Sequence, residues 1–460
     1  MKLFSILVTF IASCLVQADQ SAPALVAAWA AGPLDVRLAF DRPVDRQVLD
    51  GLTERTITFS AVGDKAADAP KALAGANAAG GQNGTPGARA SRRGTLHIAA
   101  ASLSSDGRTL LLTTDPHPLP TTYTLSLPHV RALGAPGTGK TAEVRYNLSG
   151  LDAAWEPAQE NAKQRGWSLW WPLLDPDLVP SRTKGSADHE RAHATLNHPG
   201  KLTLTALLTL PEGEVTLAIE ASGPFEADLG EEPIASKPAG TGSHRLQLKV
   251  ESTGVPVLLV LKAATGTGGK PLALHVSYHT AADSKEKSPA LDSLQVPWAP
   301  PPPPEPSAAA ELPADLDGGD PVRGEAVFKS SEARCSACHK VRGQGGTVGP
   351  DLSDLRRSDL ASVYRDIREP SALIHPDYAS YVVALRDGQV VTGIVRAQGA
   401  DAIRVTDTDA KERTIPRAEI EELRPTHSSI MPEGLVGALG EGKMRDLIAF
   451  LLASGKATRE

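Results

Sequence analysis

Cys335-Ser336-Ala337-Cys338-His339 is the stretch of this chain whose residue types and spacing carry chemistry. Two thiols three positions apart, followed at once by an imidazole, form the C-x-x-C-H attachment signature of c-type haem. The thiols add to the two porphyrin vinyl groups as thioethers, and the adjacent imidazole reaches the iron as its proximal ligand. Two other chemistries use a similar pair. A structural zinc site needs four ligands, and Cys14 is the sole other cysteine of the 460 residues. A redox-active disulfide of the thioredoxin kind sits in a βαβ context, which the flanking residues do not offer. One covalent haem c is therefore the expected cofactor, with Cys335 and Cys338 as its anchors and His339 on the iron.

A six-coordinate iron takes its second axial ligand from further along the chain. Met444 shares an i, i+3, i+4, i+7 stripe with Leu447, Ile448 and Leu451, so it is expected in a helix core. Met431 lies instead in the loop Ser428 to Gly434, where Pro432 restrains the backbone. Met431 is the expected distal ligand, with His427 and His375 as alternatives. A His/Met pair raises the reduction potential relative to His/His, because the soft thioether favours ferrous iron.

The elements that must position these groups follow. Asp320 as N-cap and Pro321 at the first helical position predict a helix containing Gly324, Val327 and Phe328. With the haem motif and Gly349-Pro350-Asp351-Leu352, this region resembles a class I c-type cytochrome. That resemblance implies that the Pro350 carbonyl orients the proximal imidazole. The segment Pro321 to Ser454 is also similar to a haem-binding domain family of planctomycete and verrucomicrobial exported proteins. The shared residues are Gly324 to Phe328, the haem motif, Val348 to Leu352, Glu369-Pro370-Ser371, Asp387-Gly388, Gly393 and Met431-Pro432. Between Tyr381 and Leu423 the apolar alternation around Asp387-Gly388 predicts a small inserted β-barrel.

The front of the chain reads differently. Short alternating runs such as Asp35 to Phe40, Thr56 to Val62, Thr109 to Thr113 and Thr122 to Leu127 predict strands of an antiparallel sandwich over 24–149. Pro33 to Pro43, the turn Ser105 to Arg108 and Tyr123-Thr124-Leu125 resemble bacterial Ig-like domains. A second sandwich is predicted over 151–296, from runs including Leu202 to Leu210, Val215 to Ala221 and Val255 to Ala263. Its Trp167-Ser168-Leu169-Trp170-Trp171 cluster either stacks on a sugar or fills a core. His189, His193 and His198 lack the other ligand types of a metal site. Residues 297–319 contain five consecutive prolines, a stiff extended spacer that cannot form a core. The fold class is thus multidomain: two antiparallel β-sandwiches, a Pro-rich linker, and a mainly α cytochrome c domain over 320–456 with the inserted barrel at 381–423.

The N-terminus has Lys2, an apolar run from Leu3 to Ala12 and the small-residue site Val16-Gln17-Ala18, the pattern of a secretory signal spanning 1–18. A lipobox reading of Ile11 to Cys14 makes lipid attachment at Cys14 the alternative. The expected location is exported, at the periplasm or cell surface. Gly134 to Thr141, GAPGTGKT, matches the P-loop pattern. The following residues alternate like a strand and offer no helix, so a hairpin turn is expected and ATP is not. The net charge of −7, without a long basic run, gives no footprint for nucleic acid. The expected function is an exported electron carrier working with a redox partner protein. The alternatives are a surface protein holding a glycan, with the haem as an accessory, and the haem subunit of a dehydrogenase or peroxidase system.

Overall fold

The structure, a computed structural model, describes residues 22–60, 93–130, 141–159, 165–183, 186–230, 232–240, 242–266, 271–300, 316, 318–355, 360–372 and 374–453. The secretory signal, Cys14, residues 134–140 of GAPGTGKT and most of the Pro-rich linker lie outside the described residues. Among the described residues no helix is long and apolar enough to cross a membrane.

Among the described residues the first unit has seven strands: β1 (Leu25–Gly32), β2 (Asp35–Phe40), β3 (Thr56–Ser60), β4 (Arg93–Leu103), β5 (Thr109–Thr114), β6 (Tyr123–Pro128) and β7 (Thr141–Tyr146). They form one antiparallel sheet in the order β1-β2-β5-β4-β3-β6-β7. The long strand β4 has a register shift between Ile98 and Ala100. Its first half pairs with β3 and its second half with β5. Such a bulge bends a strand, and the sheet folds over so that edge strands β1 and β7 touch. The expected Ig-like sandwich is corrected to this nearly closed single sheet. GAPGTGKT joins β6 to β7, and Pro128 pairs with Thr141 across the hairpin. A P-loop needs a helix after its strand, whereas here a paired antiparallel strand follows.

The second unit is a two-sheet sandwich. Its larger sheet combines β8 (Leu151–Pro157), β9 (Trp167–Trp171), β10 (Gly200–Leu208), β12 (Phe225–Asp228), β13 (Ile234–Ala235), β16 (Val257–Thr265) and β18 (Leu294–Gln295). The facing sheet has β11 (Gly213–Ala221), β14 (Lys237–Pro238), β15 (His244–Ser252) and β17 (Leu274–Thr280). Alternation decides the faces: in β10 the odd-looking run of Leu and Thr buries Leu202, Leu204, Ala206 and Leu208 and leaves the intervening residues partly open. Between β9 and β10 lie two helices that periodicity did not reveal, α1 (Val179–Arg182) and α2 (Ala187–Thr195). His189 on α2 is buried with both ring nitrogens engaged, at 2.7 Å to Ser186 Oγ and 2.7 Å to the Trp170 carbonyl.

The C-terminal unit has helices α3 (Pro321–Lys329), α4 (Cys335–Cys338), α5 (Leu360–Arg368) and α6 (Leu435–Ala453), the last kinked at Gly440. It also has a short hairpin, β19 (Lys340–Val341) and β20 (Gln344–Gly345), and a five-stranded sheet. The sheet's strands are β21 (Ser380–Leu385), β22 (Val390–Gln398), β23 (Ala402–Thr406), β24 (Glu412–Pro416) and β25 (Ile420–Thr426), in the order β24-β23-β22-β21-β25. Nearly as many residues are in strands as in helices, so the expected mainly α domain is corrected to a mixed one in a mostly β chain. The insert's order keeps two edge strands. It covers its apolar face in part by taking Leu34, from the β1–β2 turn, into a cluster with Val383, Val395, Ile403 and Val405.

Candidate cofactor cavity

Helix α3 begins as the sequence predicts: the Asp320 carboxylate accepts from the Val322 and Arg323 amides. It crosses α6 at very close range, because a Cβ on Gly324 would lie 1.9 Å from the Asp446 carbonyl oxygen. Arg323 Nε donates to Asp446 Oδ2 at 2.6 Å and the Asp320 amide to Oδ1 at 2.7 Å, which fixes the crossing. Phe328 then packs on Phe450, ring centroids 5.5 Å apart. These contacts set the floor from which the Cys motif rises.

The motif itself is the single-turn helix α4, preceded by Arg334 in the left-handed region at φ 53°. The Arg334 side chain donates from Nη1 to Asp409 Oδ1 at 3.0 Å, so the β23–β24 turn of the insert holds the residue before the first thiol. After α4 the chain wraps back: the Gly346 amide donates to the Ser336 carbonyl at 2.9 Å and the Gly349 amide to the Cys338 carbonyl at 2.8 Å. Glycine is required at 346 and 349, where a Cβ would meet Ala337 O at 2.0 Å and the His339 ring at 2.6 Å.

These turns open onto a cavity of about 310 Å³ whose wall includes Cys335, Cys338, His339, Pro350 and Met431. Most of the rest of the wall is apolar, with Phe328, Leu352, Val363, Ile367, Leu447 and Leu451 among its residues, and Arg334, Asp366, Thr408 and Ser429 add polar groups to it. His339 Nδ1 donates to the Pro350 carbonyl at 3.0 Å. A proton held on Nδ1 leaves Nε2 with its lone pair, the form in which imidazole ligates a metal. Burial lowers the His339 pKa and the Pro350 bond opposes that shift, so the ring is neutral at physiological pH. Burial pushes the Cys335 thiol up to about 11 and raises that of Cys338. Redox-active dithiols have lowered thiol pKa values; this pair is held protonated.

Met431 is pinned by a relay of small polar residues. Its amide donates to Ser429 Oγ at 3.1 Å, the Ser429 amide to Ser371 Oγ at 3.1 Å, and Ser371 Oγ to Glu433 at 3.0 Å. Of the alternatives, His375 also lies on the wall, with Nδ1 accepting from the Asp377 amide at 3.3 Å. Met444 is buried in the helix core, 1 % exposed, as its stripe predicts. The insert contributes Ile394 and Thr408 to the wall. These two carry no motif, and only the fold of β22 and the β23–β24 turn brings them there.

Of the aromatic cluster, Trp171 has the core role, while Trp167 and Trp170 are half-buried. Trp155 and Trp171 are fully buried, and Trp155 Nε1 donates to Thr265 Oγ1 at 2.9 Å. Trp170 stacks on Trp29 of the first unit at 5.5 Å and 16°, and Trp167 packs on the sandwich core.

No family model matches the chain, and no curated protein matches it. Similar solved structures include a PA14 sugar-binding domain from an RTX adhesin, with a TM-score of 0.23 and 9 % identity over 31 % of this chain and 94 % of that one. An anti-sigma factor domain-containing protein has a TM-score of 0.25 and 11 % identity over 57 % of this chain and 84 % of that one. The epithelial adhesin 6 A domain from Candida glabrata, in complex with Galb1-3GlcNAc, has a TM-score of 0.23 and 10 % identity over 32 % of this chain and 87 % of that one. The resemblance to class I c-type cytochromes and to the planctomycete and verrucomicrobial family is overturned: no family model matches the chain, and its architecture is mostly β. Nor do the described residues contain a group of three or more His, Cys, Asp or Glu side chains that could hold a metal ion. The expectation of a metal-binding chain is corrected to that extent. The cavity and its Cys-His-Met wall stand on their own geometry.

Proposed function

We propose that the C-terminal cavity takes one haem, which Cys335 and Cys338 would hold as thioethers and His339 and Met431 would ligate through its iron, and that the chain carries single electrons. The observation that supports this reading is the wall itself: two thiols, an imidazole with Nδ1 held by Pro350, and a thioether face one mostly apolar cleft. That residue set fits the group: thiols for addition to vinyls, a neutral imidazole and a soft thioether for iron, and apolar side chains for a macrocycle. When bound, the group supplies an Fe(III)/Fe(II) couple. The protein's residues do the rest: Pro350 fixes the imidazole tautomer, the Ser429–Ser371 relay holds the Met431 loop, and the leucines of α6 exclude water. The donor and acceptor are partner proteins, and the setting is the exported one that the secretory signal implies, with Cys14 as the alternative lipid anchor.

Full-length protein made with haem-maturation machinery tests the reading. Absorbance of a reducible haem that stays with the denatured chain is the expected result; a mature protein without it overturns the proposal. Replacement of Met431 by Ala should remove the charge-transfer band of a methionine-ligated ferric haem. A surviving band transfers the distal role to His375. In the alternative, a surface protein holding a glycan with the haem as an accessory, the front units carry the main function. The titles of the adhesin neighbours name sugars, but superposition scores near 0.2 lend that alternative no structural weight. A glycan array with the full chain decides it.

A further inference from the structure

The linker is not the sole connection between the first unit and the cavity. Asp115, just after β5, is 7 % exposed and reaches across to the insert. Its Oδ1 accepts from the Ala397 amide at 2.8 Å, and its Oδ2 lies 3.8 Å from Arg396 Nε. The same guanidinium donates from Nη2 to the Asp377 carbonyl, and from Nη1 to the Val395 carbonyl at 3.2 Å. Asp377 sits in the 3-10 turn Pro376–Tyr378, and its neighbours His375 and Tyr378 line the cavity. Strand β4 closes on this turn from the first unit. A Cβ at Gly94 would lie 3.1 Å from Asp377 Oδ1 and 2.5 Å from Phe59 Cζ, so the approach needs glycine there.

We propose that Asp115 is a positioning residue for the cavity wall at 375–378, acting through Arg396, and that the first unit is thereby a structural part of the cavity. The carboxylate holds the guanidinium in the orientation from which it reaches the Asp377 carbonyl. Without that charge, Arg396, whose side chain is 36 % exposed, turns toward water and releases the turn. An amide at 115 still accepts from Ala397 but presents its own N–H groups to the guanidinium. The inference concerns the wall and goes beyond the haem reading, on which it does not depend.

Hydrogen exchange on the full chain as purified tests it, read at the Tyr378 and Ala379 amides. These donate to the His375 carbonyl at 2.8 Å and the Pro376 carbonyl at 3.2 Å. Asp115→Asn should speed exchange there about tenfold, and Asp115→Glu should restore much of the protection. Arg396→Lys, which cannot span both partners, should match Asp115→Asn and serves if the latter fails to fold. Asp35→Asn cuts a second charged tie between these units, the pair with Arg417 at 3.0 Å, and should leave Tyr378 and Ala379 unchanged. Unaltered exchange in Asp115→Asn and Arg396→Lys, or equal acceleration in Asp35→Asn, overturns the proposal. Haem staining of the same samples reports separately on the cofactor reading.

Discussion

The second β unit and the C-terminal unit both gather aromatic residues and histidine around an apolar interior, and they finish it in opposite ways. In the sandwich, Trp155, Trp171, Leu202, Leu204 and Leu217 fill the space between two sheets, each with essentially no exposure. Its buried histidine spends both ring nitrogens inside the fold. The C-terminal core, built on Phe328, Met444, Leu447 and Leu451, stops short and leaves a cleft of about 310 Å³. Its His339 spends one nitrogen on Pro350, and the proposed function uses the other. Side chains around such a gap lack partners for dispersion on one side, and the proposed haem would supply them. The closed core leaves its polar residues no room for a ligand, whereas the open one leaves Cys335, His339 and Met431 facing space that the proposed group would fill.

The sharpest way to break that contrast is to remove the thiols. The double variant Cys335→Ala with Cys338→Ala should lose covalent haem completely on a denaturing gel stained for haem, whereas His189→Asn should retain it; staining of the thiol-free chain removes the distinction. Next in size is Trp155→Ala. Full burial and the lost bond to Thr265 should cost the front about 3–5 kcal/mol. Denaturant titration followed by tryptophan fluorescence measures this, and all six tryptophans lie at or before residue 298. A loss under about 1 kcal/mol means that the sandwich core is less filled than it looks.

Acid separates the regions by about 3 kcal/mol or less per group. Burial lowers His117 and His189 from 6.5 to about 4. Between those values the unfolded chain binds protons that the folded one does not, so stability present above pH 6.5 is lost as pH falls toward 4. Asp152, raised by burial to about 6, acts with the opposite sign, because folded chain holds a proton there that unfolded chain releases. Fluorescence-detected melting should therefore drop on acidification, and drop more steeply in Asp152→Asn; a slope that ignores this substitution refutes the assignment. The smallest effect is expected for Gly324→Ala, about 1–3 kcal/mol. The added methyl pushes α3 off Asp446, and the change should register in hydrogen exchange of α3 and α6 with the tryptophan signal unmoved.

Local pattern was legible where one residue's environment follows from its near neighbours. Asp35–Phe40 and Thr109–Thr114 are strands almost to the residue, because a half-buried strand announces its face with period two. The N-cap at Asp320 and the buried stripe with Met444 were readable for the same reason. Helices α1 and α2 were not, since both are short and α2 carries polar residues on most sides. The proline run implied separate bodies. Val296 and Ala299 nevertheless sit in the first unit's core, and Trp298 lies 5.9 Å from His117. A spacer's stiffness says nothing about what its ends pack against.

The five residues from Cys335 to His339 carry in their order the kind of chemistry the chain can support, because thiol spacing and an adjacent imidazole are covalent facts of the polymer. Strand periods and caps are equally local. Distance in the chain hides everything else about the cavity. Asp115 meets Arg396, Asp409 holds Arg334, and Leu34 completes the core of a sheet that starts at residue 380. Each of these pairs depends on burial and charge balance that exist only once the units have docked, so the tertiary structure alone decides which side chains share the wall.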